Sequence, residues 1–356
     1  MNLPAELYRP IVGYVKDCAT LLSLLLTSHL LNAEAERSLY YKFEHVHNVR
    51  SQVLFLQRAV DCPRVAQYVH SYKFEMDWRT NIGTKHIFWN LLPKAWRAFV
   101  NLKILHFRTN GGMVVEGLLS GCTFQLEHCH WRCRTDEAQM QIFLESQTKL
   151  KCLSLCGWDD ENFLAPSNHD KQPDLRQLAG SYGVIHAFLP GRHITHVEWI
   201  SDMEDPWDIA TGLDVAGLAS SLRKLRSLKL GGPPLCVISD HLTNLVFLEL
   251  VGYDSPEIED QAIFTLSSLK VLRISIQWGL RNTYVTNPRG HATKMFAKSR
   301  SLQIIEIEEE STRNCVGNRV QQYGRWERDI GLVNKWFAQI EMWPAICEGS
   351  CTFSTV

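Results

Sequence analysis

A short apolar pattern recurs along this chain and constrains its fold more than any single motif. One apolar residue is followed by a second three positions on and a third two positions later. It appears as Leu102/Leu105/Phe107, Leu150/Leu153/Leu155, Ile194/Val197/Trp199, Leu225/Leu228/Leu230, Leu245/Leu248/Leu250, Leu269/Leu272/Ile274 and Leu302/Ile305/Ile307. Val69/Tyr72/Phe74 opens the series, Leu175/Leu178 is a damaged copy running into Gly180, and Phe124-Gln125-Leu126 is a weaker one. Clear neighbours start roughly 20 to 33 residues apart, the period of stacked structural repeats. The last two apolar residues of a copy share one face of a short strand, and the first enters it from the preceding turn. Each copy leaves its apolar side open for the next to cover.

Between these strands the sequence predicts helices over 85–99, 137–146, 213–222 and 292–299. Helix then strand, repeated, implies an α/β fold with parallel strands inside and helices outside. The residue between the last two apolar positions points away from the core. That column reads His106, Ser154, Ala179, Glu198, Lys229, Glu249, Arg273 and Glu306, with alternating sign from Glu198 onward. Neighbouring strands lie ~4.8 Å apart, so these side chains can pair laterally or remain a solvated ladder.

The first forty residues differ. Leu3-Pro4-Ala5-Glu6-Leu7 leads into Ile11 and Tyr14-Val15, then Leu21-Leu22-Ser23-Leu24-Leu25-Leu26, Thr27-Ser28 and Ala35-Glu36-Arg37-Ser38-Leu39-Tyr40. Pro4 suits a first helical turn, Leu7, Ile11 and Val15 form an apolar stripe, and Asp17 and Thr20 are N-cap residue types. Leu31, Ala35 and Leu39 mark one face of a third helix. Three short helices cannot bury all of Leu21 to Leu26 by themselves. The surplus is covered by the rest of the chain, as in a helical N-terminal cap, or by another protein.

This opening resembles an F-box, the helical motif that docks proteins onto the Skp-type adaptor of a cullin–RING ubiquitin ligase. The repeats resemble irregular leucine-rich repeats, without the asparagine that usually follows each strand. Together they look like a fungal F-box/leucine-rich-repeat protein. The resemblance implies a substrate-recognition subunit that performs no chemistry itself. Its adaptor contacts fall on Leu3, Pro4, Leu7, Ile11, Leu21 and Leu24, and the adaptor links it to a cullin. A stand-alone repeat scaffold without a ubiquitin-ligase role is the alternative. The implied architecture is a three-helix F-box-like module over 1–45, an irregular solenoid over 46–310, and a cap and tail over 311–356.

Composition narrows the partners. Net charge is −1, from 37 basic and 38 acidic residues, without a long basic face for nucleic acid. No apolar run reaches the length of a membrane span, and Glu6 and Asp17 interrupt the start where a signal peptide would be apolar. The 11 cysteines, an odd number, point to reduced thiols in cytoplasm or nucleus. Cys129/Cys133, Cys152/Cys156 and Cys347/Cys351 lack the two-residue spacing of paired zinc ligands, so the expectation is no metal and no cofactor. Asp159-Asp160-Glu161 reads as a solvated acidic loop. No phosphate loop, nucleophile elbow or His-Glu-x-x-His occurs, and the chain is not expected to be an enzyme.

Residues 157–174 and 277–291 read as polar loops, each carrying a tryptophan, Trp158 and Trp278. The acidic run Glu306, Glu308, Glu309 and Glu310 reads as a solvated edge that stops sheet extension. Trp326, Ile330, Val333, Phe337 and Ile340 recur at three- and four-residue spacing, which predicts a capping helix over 324–343. The target surface is placed on the charge column, at Glu198, Lys229, Phe247, Glu249, Val271, Arg273 and Trp278. Its mixed charged and aromatic character suits a protein better than a small molecule.

Overall fold

The computed structural model describes residues 4–15, 17–44, 48–77, 82–110, 117–133, 137–156, 172–200, 215–252, 256–275, 285, 287–313 and 319–339. The chain divides into two compact units, Met1–Asp174 and Leu175–Val356. Both are α/β and built on mostly parallel strands.

The first unit opens with α1 (Ala5–Gly13), α2 (Cys18–Leu25) and α3 (His29–Tyr41). Asp17 caps α2, accepting from the Thr20 N–H at 2.7 Å, and Ser28 caps α3 through the Leu31 N–H. Val12, Leu21 and Ala35 form the shared core, with Val15, Leu24, Leu25, Leu31 and Leu39 packed around it. Then follow β1 (Lys42–Phe43), α4 (Val49–Asp61), α5 (Pro63–Tyr68), β2 (Ser71–Asp77), α6 (Ile82–Ala98), β3 (Ile104–Asn110), β4 (His128–Arg132), α7 (Glu137–Ser146) and β5 (Cys152–Cys156). The five strands pair in sequence order, all parallel. Their core face is aromatic: Tyr72, Phe74, Phe107 and Trp131 are buried against Phe55, Phe88, Trp96 and Phe99. Phe74 and Phe107 lie 5.3 Å apart between ring centres, and Phe107 and Trp131 4.9 Å. Each such ring contributes about 2–3 kcal/mol through burial.

The second unit holds β6 (Gln177–Gly180), α8 (Tyr182–Phe188), β7 (His196–Ile200), α9 (Val215–Leu222), β8 (Ser227–Gly231), α10 (Leu235–Ile238), β9 (Phe247–Val251), α11 (Pro256–Thr265), β10 (Val271–Ser275), α12 (Pro288–Lys298), β11 (Ile304–Arg313), β12 (Arg319–Glu327) and β13 (Gly331–Gln339). Strands β6 to β11 pair in order and parallel. The predicted apolar pairs Leu228/Leu230, Leu248/Leu250, Leu272/Ile274 and Ile305/Ile307 all lie in the core.

One backbone device repeats at the strand entrances. The carbonyl of Lys103 accepts from both Glu127 and His128 N–H, Thr195 from Arg226 and Ser227, Arg226 from Val246 and Phe247, and Val246 from Lys270 and Val271. Short polar side chains just before the first apolar position add a tie to the preceding copy. Asn244 Nδ2 donates to the Arg223 carbonyl at 2.7 Å, Ser268 Oγ to Thr243 at 2.8 Å, and Asn101 Nδ2 to Gln67 at 2.7 Å. These residues link successive turns.

The predicted C-terminal helical cap is corrected. Within 324–343 the structure has the end of β12 and β13, an antiparallel hairpin added to β11. Asp329 at φ 67° and Gly331 at φ 89° adopt left-handed backbone that ends any helix there and makes the turn. The acidic run therefore does not stop the sheet: β12 pairs with it, and Glu306 and Glu308 are buried. Pro288 and Gly290 do not belong to a loop; Asn287 caps α12 by accepting from the Gly290 N–H.

Candidate functional site

The charge column of the second unit is built by register. Glu198, Lys229, Glu249, Arg273, Glu306 and Arg325 are successive partners across β7 to β12. Each follows a core residue by one position, so all six turn to the face opposite the leucines. Lys229 Nζ lies 2.9 Å from Glu198 Oε1 and 3.9 Å from Glu249 Oε1. Arg273 reaches Glu249 Oε2 at 3.6 Å and Glu306 Oε2 at 2.8 Å, and Arg325 Nη1 lies 3.7 Å from Glu306 Oε1.

This row is withdrawn from water rather than solvated. The Glu306 side chain is 2% exposed, Glu249 11% and Arg273 17%, with Lys229 the most open at 34%. Burial alone would lower the Lys229 ammonium, but the Glu249 and Glu198 carboxylates outweigh it and raise its pKa. Burial opposes the charge of Arg273 in the same way, and Glu249 and Glu306 more than restore it. Both cations stay charged because each lies between two carboxylates.

Aromatic groups frame the row. The Arg273 guanidinium sits over the Phe247 ring at 5.4 Å and the Tyr323 ring at 5.3 Å. Ser275 Oγ donates to Glu249 Oε1 at 2.9 Å and, having one proton, accepts from Tyr323 Oη at 2.8 Å. Burial, with the Glu249 charge, pushes the Tyr323 phenol well above its usual range, so it remains a donor. Phe247 and Val271 are half-buried register partners on the same face. Trp278 and Trp158 lie outside the described residues. Tyr323, Arg325 and Ser275 were missing from the sequence reading. Alternation of Gln321, Tyr323 and Arg325 along one strand is the signal that finds them.

The N-terminal helices distribute their apolar residues in two directions. Leu7 is 44% exposed and Ile11 49%, on one face of α1, and Tyr14, Leu22, Leu26 and Leu30 are also exposed. Pro4 is exposed at the N-cap position. Leu21, by contrast, is buried with Val12 and Ala35, and Leu24 is half-buried against them. These two take part in the core that holds the helices together. Leu3 lies outside the described residues.

Cys18, Cys62, Cys122, Cys129, Cys133, Cys152 and Cys236 carry free thiols. Burial pushes Cys122 and Cys129 up to about 12, which leaves them as unreactive thiols. Among the described residues no group of three His, Cys, Asp or Glu is placed to hold a metal, and no helix is long and apolar enough to cross a membrane. Asp159, Asp160, Glu161, Cys347 and Cys351 lie outside the described residues.

No protein-family model matches the chain, and no curated protein matches it. Among solved structures, a PfkB family carbohydrate kinase from Listeria grayi is similar at 10% identity, over 82% of this chain and 69% of that one, with a TM-score of 0.16. At that TM-score the likeness carries no argument about fold or activity.

Proposed function

We propose that this chain is the substrate-recognition subunit of a ubiquitin ligase of the Skp-adaptor/cullin/F-box type. In this reading α1–α3 are an F-box-like docking module. The strand–helix copies are irregular leucine-rich repeats, and the charge row with Phe247 and Val271 receives a target protein. The observation that carries it is the divided character of the helices: Val12, Leu21 and Ala35 close their core while Leu7, Ile11, Tyr14, Leu22, Leu26 and Leu30 stay exposed. So many large apolar side chains in so short a segment mark a surface that a partner covers. The chain then supplies proximity, raising the effective concentration of the target near the ubiquitin-carrying enzyme.

The experiment is co-purification of the full chain with a Skp-type adaptor. Leu7→Ser with Ile11→Ser should release the adaptor at unchanged melting temperature, since exposed apolar anchors carry ~1–3 kcal/mol each at an interface. A wild-type chain that captures no adaptor sinks the ligase reading and leaves the stand-alone scaffold. For the target face, Lys229→Gln should weaken capture of target proteins in pull-downs from the native cell while adaptor capture persists. Unchanged targets would move the binding surface elsewhere.

A further inference from the structure

The helical side of the second unit carries an open cleft of about 660 Å³, a volume typical of ligand sites. Cys236 of α10, Ser239 just after it, one side of α11 and Lys294 of α12 line it. Glu259 fastens α11 to α10, its Oε1 accepting from the Leu235 N–H at 3.4 Å. Lys294 fastens α12 to α11, its Nζ donating to Asp260 Oδ2 at 2.6 Å. The Asp260 side chain is 2% exposed, so the cleft has a buried carboxylate in its wall that already holds its cation.

Three acceptors in the lining remain unanswered. Ser239 is 7% exposed, and its hydroxyl makes no hydrogen bond among the described residues. Glu257 forms no ion pair or hydrogen bond among them, and the Gln261 side chain forms no hydrogen bond. Glu257 and Gln261 stand four residues apart on α11 and so share a face. Ile258 beside them is 47% exposed. Lys294 is the only cation in the lining, and Asp260 holds it. Glu257 is felt there only as a weaker, more distant charge, and keeps no cation of its own.

We infer that this cleft receives a lysine side chain from a partner peptide that runs along α11. An ammonium brings three N–H donors to three acceptors: the Glu257 carboxylate, the Ser239 hydroxyl and the Gln261 carbonyl. Its bond to Glu257 is charge-assisted, and its methylene stem covers Ile258. Glu257, Ile258 and Gln261 are exposed, so the cleft opens onto a helix face that a peptide backbone can follow. An anion would instead meet the Glu257 and Asp260 carboxylates. A metal ion fits less well, because Lys294 occupies Asp260 and no group of three metal-ligating side chains lies here among the described residues. The site depends neither on adaptor docking nor on the charge row, and goes beyond both.

The test is a ligand-observed NMR titration of the full chain. The probes are acetyl-Gly-Gly-Lys-Gly-Gly-amide, the same peptide with acetylated lysine, the same peptide with arginine, and pentylamine. The lysine peptide is expected to bind and to weaken with salt, and the acetylated one to stay free. The arginine peptide should bind less tightly, since a planar fork suits one carboxylate better than three separate acceptors. Pentylamine should also bind less tightly, having no backbone to lie on α11. Glu257→Gln should weaken the lysine peptide severalfold, and Ser239→Ala by a smaller factor. Asp61→Asn removes the same charge from an exposed position of α4 and should leave binding unchanged. Should Ser239→Ala melt early, Gln261→Ala at its exposed position is read in its place. No binding of the lysine peptide, equal binding of the acetylated one, unchanged affinity in Glu257→Gln, the same loss in Asp61→Asn, or tighter binding of pentylamine or the arginine peptide each overturns the assignment.

Discussion

The Arg273 guanidinium lies 5.3 Å from the centre of the Tyr323 ring, although Tyr323 stands on a strand that sequence periodicity assigns to no sheet. Through this contact the terminal hairpin takes part in the charged row. With Phe247 on its other side, Arg273 is held between two rings and two carboxylates.

Replacing Arg273 by Met should therefore cost more than an ordinary surface ion pair. It leaves the buried Glu306 without its 2.8 Å partner, and removing one member of a buried pair costs roughly 3–5 kcal/mol. Urea denaturation of the purified chain measures it. A loss under about 1 kcal/mol would mean that the row behaves as an exposed ladder.

Leu21 and Leu7 should separate cleanly. Leu21→Ala empties the core shared by α1, α2 and α3 and should destabilise that module by about 2–4 kcal/mol. Leu7→Ala, at an exposed position, should stay within about 0.5 kcal/mol. Hydrogen exchange over residues 4–41 reads both, and equal protection in the two variants would refute the division into core and surface leucines.

The repeat spacing made much of the second unit legible. A three-then-two pattern fixes which residues enter the core and hence which follow them on the opposite face, so Glu198, Lys229, Glu249, Arg273 and Glu306 fall in one row on sequence grounds alone. Strand β4 is obscured because its apolar positions are Leu126, Cys129 and Trp131, with a cysteine where the clear copies carry a leucine, isoleucine or valine. The terminal hairpin was misread because Trp326, Ile330 and Val333 mimic a helical stripe. Gly331 and Asp329 held the contrary signal. The burial of the charged row was not legible at all, since it depends on contacts such as Tyr323 with Ser275 that span 48 residues.

Gly324 should not tolerate a side chain. A Cβ there would press into the Trp326 ring and the Glu309 carboxylate. Gly324→Ala should cost about 1–3 kcal/mol as overpacking. Thermal melting checks it, and a neutral result would show that Trp326 can move aside.

Acid should weaken the first unit through Glu75. The His106 ring beside it, aided by Lys73 and Arg108 and against the effect of burial, holds its carboxyl at about 2 rather than 4.5. The folded pKa is the lower one, so the contribution is complete above about pH 4.5 and disappears as pH falls toward 2. Urea midpoints at about pH 5 and about pH 3 should differ less in Glu75→Gln than in the unmodified chain. An identical difference in both would assign the acid sensitivity to other carboxylates.

The alternating row also sets a counting rule for how this sheet can gain or lose repeats. Excising the copy that carries Lys229 would bring Glu198 beside the buried Glu249, two carboxylates with no cation between them. Excising the copies of both Lys229 and Glu249 would instead bring Glu198 beside Arg273 and preserve the order of signs. Duplications and deletions within β7–β11 thus keep the alternation of sign only when an even number of strands is gained or lost.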